Sequence, residues 1–212
     1  MKNLRKVRSL PPPVRYRSGR VGMMRVALIV WIALVTAGFV TLVVYERSPG
    51  ADGIPSQTIS LNLERETWTL LVGVHPRCPC TRATVDELEW LLYRNRKVLK
   101  CNALIYHPEG FEKEWMELPL VARLKNMPGV TLRGDSDGRE LARLGIETSG
   151  GIRLFDPRGK LCFQGGITPS RGHRGLNLGS EIIESLLRGE PTPLNNAPVY
   201  GCSTRCSSMK DK

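Results

Sequence analysis

Two thiols one residue apart, Cys78-Pro79-Cys80, stand in the stretch HPRCPCTR (75–82), directly after the apolar run TWTLLVGV (67–74). An apolar run, the cysteine motif and then a helix-forming segment put the pair at the N-terminal end of a helix. Unpaired backbone N–H groups and the positive end of the helix dipole favour an anion there. Thiolate is the form of cysteine that attacks disulfides and binds soft metal ions. Arg77 and Arg82 add positive charge, and Pro79 suits the opening of a helix. A Cys78–Cys80 disulfide would close only a small ring. It is therefore expected to be strained, easily reduced and comparatively oxidising.

The other cysteines divide by context. Cys101 and Cys162 lie inside apolar strands and read as core packing. Cys202 and Cys206 lie in a polar tail. From Gly189 to Cys202 is 13 residues, an extended reach of at most about 45 Å, whereas the preceding helix is only about 15 Å long. Cys202 can therefore return to the C-P-C end. It could act as a resolving thiol, a third sulfur ligand, or half of a Cys202–Cys206 disulfide. C-x-x-C-H is absent, so a c-type haem is not expected. His107, before Pro108, reads as a loop or hydrogen-bonding residue.

The elements that would position these groups follow from periodicity. QTISLNL (57–63) is a candidate strand and TWTLLVGV a stronger one, buried at its apolar end. TRATVDELEWLLYRN (81–95) carries Val85, Leu88, Leu91 and Leu92 on one helical face. VLKCNALIY (98–106) is a second buried strand. GFEKEWMELPLVARLKN (110–126) is helical in composition but interrupted at Pro119. A short strand and turn (128–138) and a short helix (139–146) follow. GIRLFD (151–156) and KLCFQGG (160–166) flank Pro157-Arg158-Gly159 as a hairpin. A Gly-rich loop leads to a last helix, SEIIESLLRG (180–189), which ends at Gly189. This order implies an α/β sandwich with a mixed central sheet, and 55–190 is long enough for its own core.

The net charge of +11 is concentrated, because residues 1–25 hold eight Lys and Arg and no acid. VALIVWIALVTAGFVTLVVY (26–45) follows without a charge, and about 20 such residues span a bilayer core. A cleaved signal peptide has a shorter apolar region and a small-residue site, so an uncleaved anchor is expected. The positive-inside tendency leaves 1–25 in the cytoplasm and sends 46–212 across. In a bacterial cell that makes a single-pass inner-membrane protein facing the periplasm, which permits disulfides. Basic charge beside a span argues against nucleic-acid binding. The expected organisation is a basic tail (1–25), a transmembrane helix (26–45), a linker rich in Gly and Pro (46–56), a domain (57–189) and a cysteine-containing tail (190–212).

The strand–Cys-Pro-Cys–helix arrangement resembles the active-site region of the thioredoxin-like superfamily, with its TlpA-type and peroxiredoxin-type domains and Sco copper-delivery proteins. The resemblance covers most of 57–189. GDSDGRELARLGI is similar to the acidic turn and short helix before the third strand of TlpA-type domains, and GIRLFDPRGKLCFQGGI to their terminal hairpin. HPRCPCTR, the SRGHRG loop and a GC near the C-terminus together look most like the RedB-type branch. The resemblance implies a thioredoxin-like three-layer sandwich. It also shows departures: Arg77 stands where the attacking cysteine of a CxxC would be, and Gly150 falls where a cis-proline is usual. In such folds the loop holding His173 runs near the active-site end. Cys78, Cys80 and His173 would then form a soft site for Cu(I), less suitably for Zn(II). In Sco proteins the copper histidine lies near the cis-proline position, so His173 matches by proximity only.

Three readings follow. The first is a thiol–disulfide oxidoreductase that needs no cofactor and acts on protein thiols or disulfides. Cys78 or Cys80 attacks, the other cysteine or Cys202 resolves, and Arg77 stabilises the thiolate. The second is a copper-binding or copper-delivery protein. The third is a non-catalytic thioredoxin-like scaffold.

Overall fold

The computed structural model describes residues 18–53 and 66–204. The candidate strand 57–63 lies outside the described residues, as does Cys206. The chain divides into two compact units, Met1–Val44 and Tyr45–Lys212. In the first, helix α1 begins; it spans Ser18–Arg47 and carries no amphipathic face. Its segment Val21–Arg47 has a mean hydropathy of 2.6 and is long and apolar enough to cross a membrane. A signal sequence meets the same criterion.

The second unit is built on five strands: β1 (Trp68–Val74), β2 (Leu99–His107), β3 (Val130–Ser136), β4 (Ile152–Phe155) and β5 (Leu161–Gly165). Their order across the sheet is β3-β2-β1-β4-β5. The β1–β2 and β2–β3 pairs are parallel, while β1–β4 and β4–β5 are antiparallel. The sheet is therefore mixed. β1 and β2 are apolar on both faces, as central strands covered on each side must be.

Two core clusters show the layers. On one face Leu70, Val72 and Val74 of β1 pack with residues of α2 (Thr81–Asn95), α4 (Pro119–Lys125) and α6 (Leu178–Leu187). On the other, Leu71 and Leu104 pack with Trp115 of α3 (Glu112–Met116) and Leu141 of α5 (Arg139–Arg143). Gly73 of β1 is required by this second face. A Cβ there would lie 2.6 Å from Ile146 and 2.7 Å from Leu141.

Local chemistry sets most boundaries. The interruption expected at Pro119 separates α3 from α4. Leu118 is extended and Pro119 takes the first turn of α4, where its missing N–H costs nothing. Helix α6 starts two residues before the expected 180, because the Asn177 side chain accepts from the Ser180 N–H at 2.8 Å. It ends with Gly189 at φ +74°. Gly189 N–H donates to Leu186 O and Glu190 N–H to Ser185 O, the paired bonds of a Schellman ending.

Two segments expected outside the domain are bonded to it. Gly50 N–H donates to Val199 O and Gly53 N–H to Gly145 O, both at 2.8 Å. The Thr148 hydroxyl donates to Ala51 O at 2.6 Å. Arg153 is fully buried and pairs with Asp52 at 2.7 Å. It also donates to Leu144 O, Gly145 O and Gly53 O. Residues 48–53 are thus part of the domain's fabric rather than a free linker. The C-terminal tail also returns to it, with Val199 and Thr204 buried.

Candidate functional site

The end of β1, the first turn of α2 and the returning tail meet at one place. His75, just after β1, donates its N–H to the Ser149 hydroxyl at 2.7 Å. The Ser149 hydroxyl shares a 2.7 Å hydrogen bond with that of Thr81, the first residue of α2. Ser149 N–H donates to Cys202 O at 2.8 Å. One buried serine thus ties the turn before the cysteines, the helix start and the tail together.

This brings three sulfurs into one group. Those of Cys78, Cys80 and Cys202 all lie within 4.8 Å of one another. Cys78 is 4% exposed and Cys80 9%, with Cys202 partly buried. All three are free thiols.

The surroundings rank the three. Burial alone would push the Cys78 thiol up. Hydrogen bonding from the Cys202 thiol and backbone and from the Thr81 side chain and backbone outweighs this and holds it below the usual thiol range. Donors aimed at a thiolate favour the charged form. Burial pushes Cys80 up, and the neighbouring Cys78 adds to this, while Arg171 opposes it. Cys202 is pushed up to about 12, by burial first and then by hydrogen bonding and charge from Cys78. The result is one thiol drawn toward its thiolate beside two whose thiolates are disfavoured.

The helix end contributes differently from the sequence expectation. Arg82 and Ala83 N–H groups are taken by Pro79 O and Cys80 O. The Thr81 N–H donates to Cys78 O at 3.2 Å and in addition favours the Cys78 thiolate. The favourable donors are therefore local and few rather than an open helix terminus.

The arginine is also a different one. Arg77 is half exposed, pairs with Glu114 at 2.9 Å, and lies 4.5 Å over the Trp115 ring. Its charge is engaged away from the sulfurs. Arg171 instead acts on Cys80 and Cys202. Its guanidinium donates to Ser48 O at 3.2 Å and to Gly201 O.

The histidines take no part in the sulfur group. His173 is exposed, its Nδ1 lies 2.8 Å from Arg171 O, and it is not among the clustered ligand atoms. It borders a shallow groove of ≈ 340 Å³ with Pro79, Arg82 and Asp86. The group beside the Cys78 and Cys80 sulfurs is thus the Cys202 sulfur and not the His173 ring. His75 stacks on Tyr106 at 5.0 Å and meets Trp115 edge-on at 5.4 Å. Burial lowers its pKa, which keeps it neutral. His107 has its ring nitrogen 3.0 Å from Pro108 O, a local contact.

Of the two cysteines expected in the core, Cys101 is 1% exposed and pushed up by burial. Cys162 differs. It is only partly buried, because β5 is an outer strand, and its thiol donates to Lys160 O at 3.5 Å.

Sequence reasoning missed Thr81, Ser149 and Arg171. Thr81 was within reach, as a hydroxyl residue at the start of α2. Ser149 and Arg171 carry no local signal, since each acts only through the tertiary fold.

A mixed five-stranded sheet of this order, helices on both faces and cysteines at the head of the helix after β1 define a thioredoxin-like fold with a three-thiol site. Solved structures agree on the fold. An uncharacterized conserved protein from Geobacillus kaustophilus matches with TM-score 0.55 and 17% identity, over 76% of this chain and 89% of that one. A hypothetical protein from Sinorhizobium meliloti 1021 matches with TM-score 0.54 and 17% identity, over 76% and 93%. An exposed lipoprotein thioredoxin from Streptococcus pneumoniae matches at TM-score 0.41 and 15% identity, over 59% and 86%. At such identities the first two speak for the fold alone, and the third, with a TM-score below 0.5, carries no argument. No family model and no curated protein matches the chain.

Proposed function

We propose that this chain is a membrane-anchored thiol–disulfide oxidoreductase whose domain faces the periplasm. The observation that carries this reading is the ranking of three adjacent thiols, with Cys78 favoured as thiolate and Cys80 and Cys202 held protonated. The Cys78 thiolate attacks one sulfur of a protein disulfide. The substrate S–S bond breaks, a Cys78 mixed disulfide forms, and the other substrate sulfur leaves and takes up a proton. Cys202 is the better placed resolving thiol, because a Cys78–Cys202 bridge closes no small ring. The reverse sequence oxidises a dithiol. The α1 helix supports the anchor, and the basic residues before it support the orientation. Assignment to the RedB-type branch rests on the sequence resemblance.

The test is equilibration of the full chain in anaerobic thiol redox buffers, followed by alkylation and mass mapping of each cysteine. A Cys78-containing disulfide with a midpoint between about −120 and −270 mV, the range of thiol–disulfide catalysts, is expected. Cys78, Cys80 and Cys202 remaining free throughout would overturn the reading.

A second reading is favoured by one observation, the three sulfurs within 4.8 Å. Three soft donors suit Cu(I), whereas a closed zinc site wants a fourth ligand. Cys78, Cys80 and Cys202 would hold the ion and supply charge neutralisation. One-to-one Cu(I) binding by thiols that stay reduced in the redox titration would favour this reading over exchange chemistry.

A further inference from the structure

The tail does more than deliver Cys202. Its residues 202–204 lie antiparallel along 147–149, bridging Thr148 and Ser203. Ser149 N–H donates to Cys202 O, and Thr204 N–H donates to Glu147 O at 2.9 Å. The Thr204 hydroxyl is buried and donates to Ile146 O at 3.0 Å. Gly201 lets the strand lie this close, because a Cβ there would fall 2.0 Å from Ser149 O. Cys202 presents both its thiol and its backbone to the Cys78 sulfur. An extended peptide is thus seated on a backbone edge beside the nucleophile, with its own cysteine against the attacking sulfur. That is the geometry a disulfide-bearing protein segment would need at the moment of exchange, with main-chain bonds giving affinity.

Resting on the exchange reading above, we infer that the partner is an extended cysteine-bearing segment of another protein that binds along 147–149 in place of tail residues 202–204. The tail is a tethered occupant of that edge. While seated, it holds the Cys202 sulfur within 4.8 Å of the Cys78 sulfur. When the partner segment displaces it, Cys78 attacks the segment's disulfide, forming the mixed disulfide and releasing the leaving sulfur as thiolate. When the tail returns, the Cys202 thiol gives its proton to the released thiolate and its sulfur attacks that bond. A Cys78–Cys202 disulfide forms and the partner cysteine departs reduced, the two electrons coming from the Cys78 and Cys202 thiols. Tail return therefore resolves the intermediate and expels the product in one movement.

The test uses the full chain in detergent micelles and two reagents with one leaving group. One is the peptide Val-Tyr-Gly-Cys-Ser-Thr, its cysteine activated as the mixed disulfide with 5-thio-2-nitrobenzoate. The other is 5,5′-dithiobis(2-nitrobenzoate), which has no peptide. The readout is the ratio of the two rates, with the adduct mapped to Cys78 by mass spectrometry. Taking the ratio cancels any change in thiolate fraction. Gly201→Ala, which crowds the tail off Ser149, is expected to raise the ratio about tenfold. Thr204→Val keeps the side-chain shape but loses the bond to Ile146 O, and is expected to raise it about threefold. N-methylation of the peptide's threonine removes the donor for Glu147 O and is expected to cancel both gains. A ratio unchanged in both variants, or a gain that survives N-methylation, would overturn the inference while Cys78 still reacts. If Gly201→Ala does not fold, Thr204→Val decides alone. No reaction of Cys78 with either reagent would instead sink the exchange reading, and this inference with it.

Discussion

Cys78, at the head of α2, and Cys101, in the middle of β2, are both nearly sealed from solvent, at 4% and 1% exposure. Burial pushes both thiols up. Only Cys78 ends below the usual range, and what differs is the set of groups around the sulfur. Cys101 sits among apolar side chains of the larger core cluster. Cys78 is met by donors from Thr81 and Cys202. Seclusion by itself makes a cysteine inert, while seclusion with convergent donors makes it reactive.

The largest effect should come from the nucleophile itself. Cys78→Ser is expected to lower the rate of reduction of a protein disulfide at least ~100-fold, as loss of an attacking group does. Cys101→Ser, although equally buried, should stay within about twofold, because it touches no reacting atom. Both rates come from the same coupled thiol assay. Equal losses in the two variants would erase the distinction.

Removing the donors should sharpen it. Cys202→Ala takes the thiol donor from the Cys78 thiolate, so the charged form is less favoured and the pKa rises. The curve of Cys78 alkylation against pH then moves to higher pH, and the rate at pH 7 is expected to fall about tenfold, one unit of pKa. Thr81→Val removes one hydroxyl donor and should shift the curve the same way, lowering the rate about threefold.

The smallest effects separate the two arginines. Arg77→Gln, which breaks an exposed pair with Glu114, should leave all three thiols within about twofold of the parent rates. Arg171→Gln should slow alkylation of Cys80 and Cys202, because it removes the charge that opposes their upward shift. A loss of about threefold at those two positions is expected, of the size of a partly exposed charge contact.

Most of the sheet was legible because its signals are local. Continuous apolar runs marked β1 and β2, Pro119 marked the break between α3 and α4, and Pro157-Arg158-Gly159 marked the hairpin. β3 was harder. Its side chains alternate between half-buried and exposed, so its apolar signal is weak. Cys78 and Cys80 were visible from their motif, and chain length alone allowed Cys202 to return. Where Cys202 sits depends on pairing between Thr148 and Ser203, residues too far apart in sequence to announce each other. Arg77 stood out because it adjoins Cys78. Packing against Glu114 and Trp115 turned it away, and Arg171 fills the electrostatic role from a loop nearly a hundred residues later.

The most direct test is site-resolved alkylation of the native full chain across pH, with every cysteine quantified by mass spectrometry. The expected result is a Cys78 midpoint below the usual thiol range, Cys80 and Cys202 titrating above it, and Cys101 silent until the chain is unfolded. Cys80 or Cys202 titrating below Cys78, or Cys101 reacting in the native chain, would contradict the assignment of Cys78 as the nucleophile.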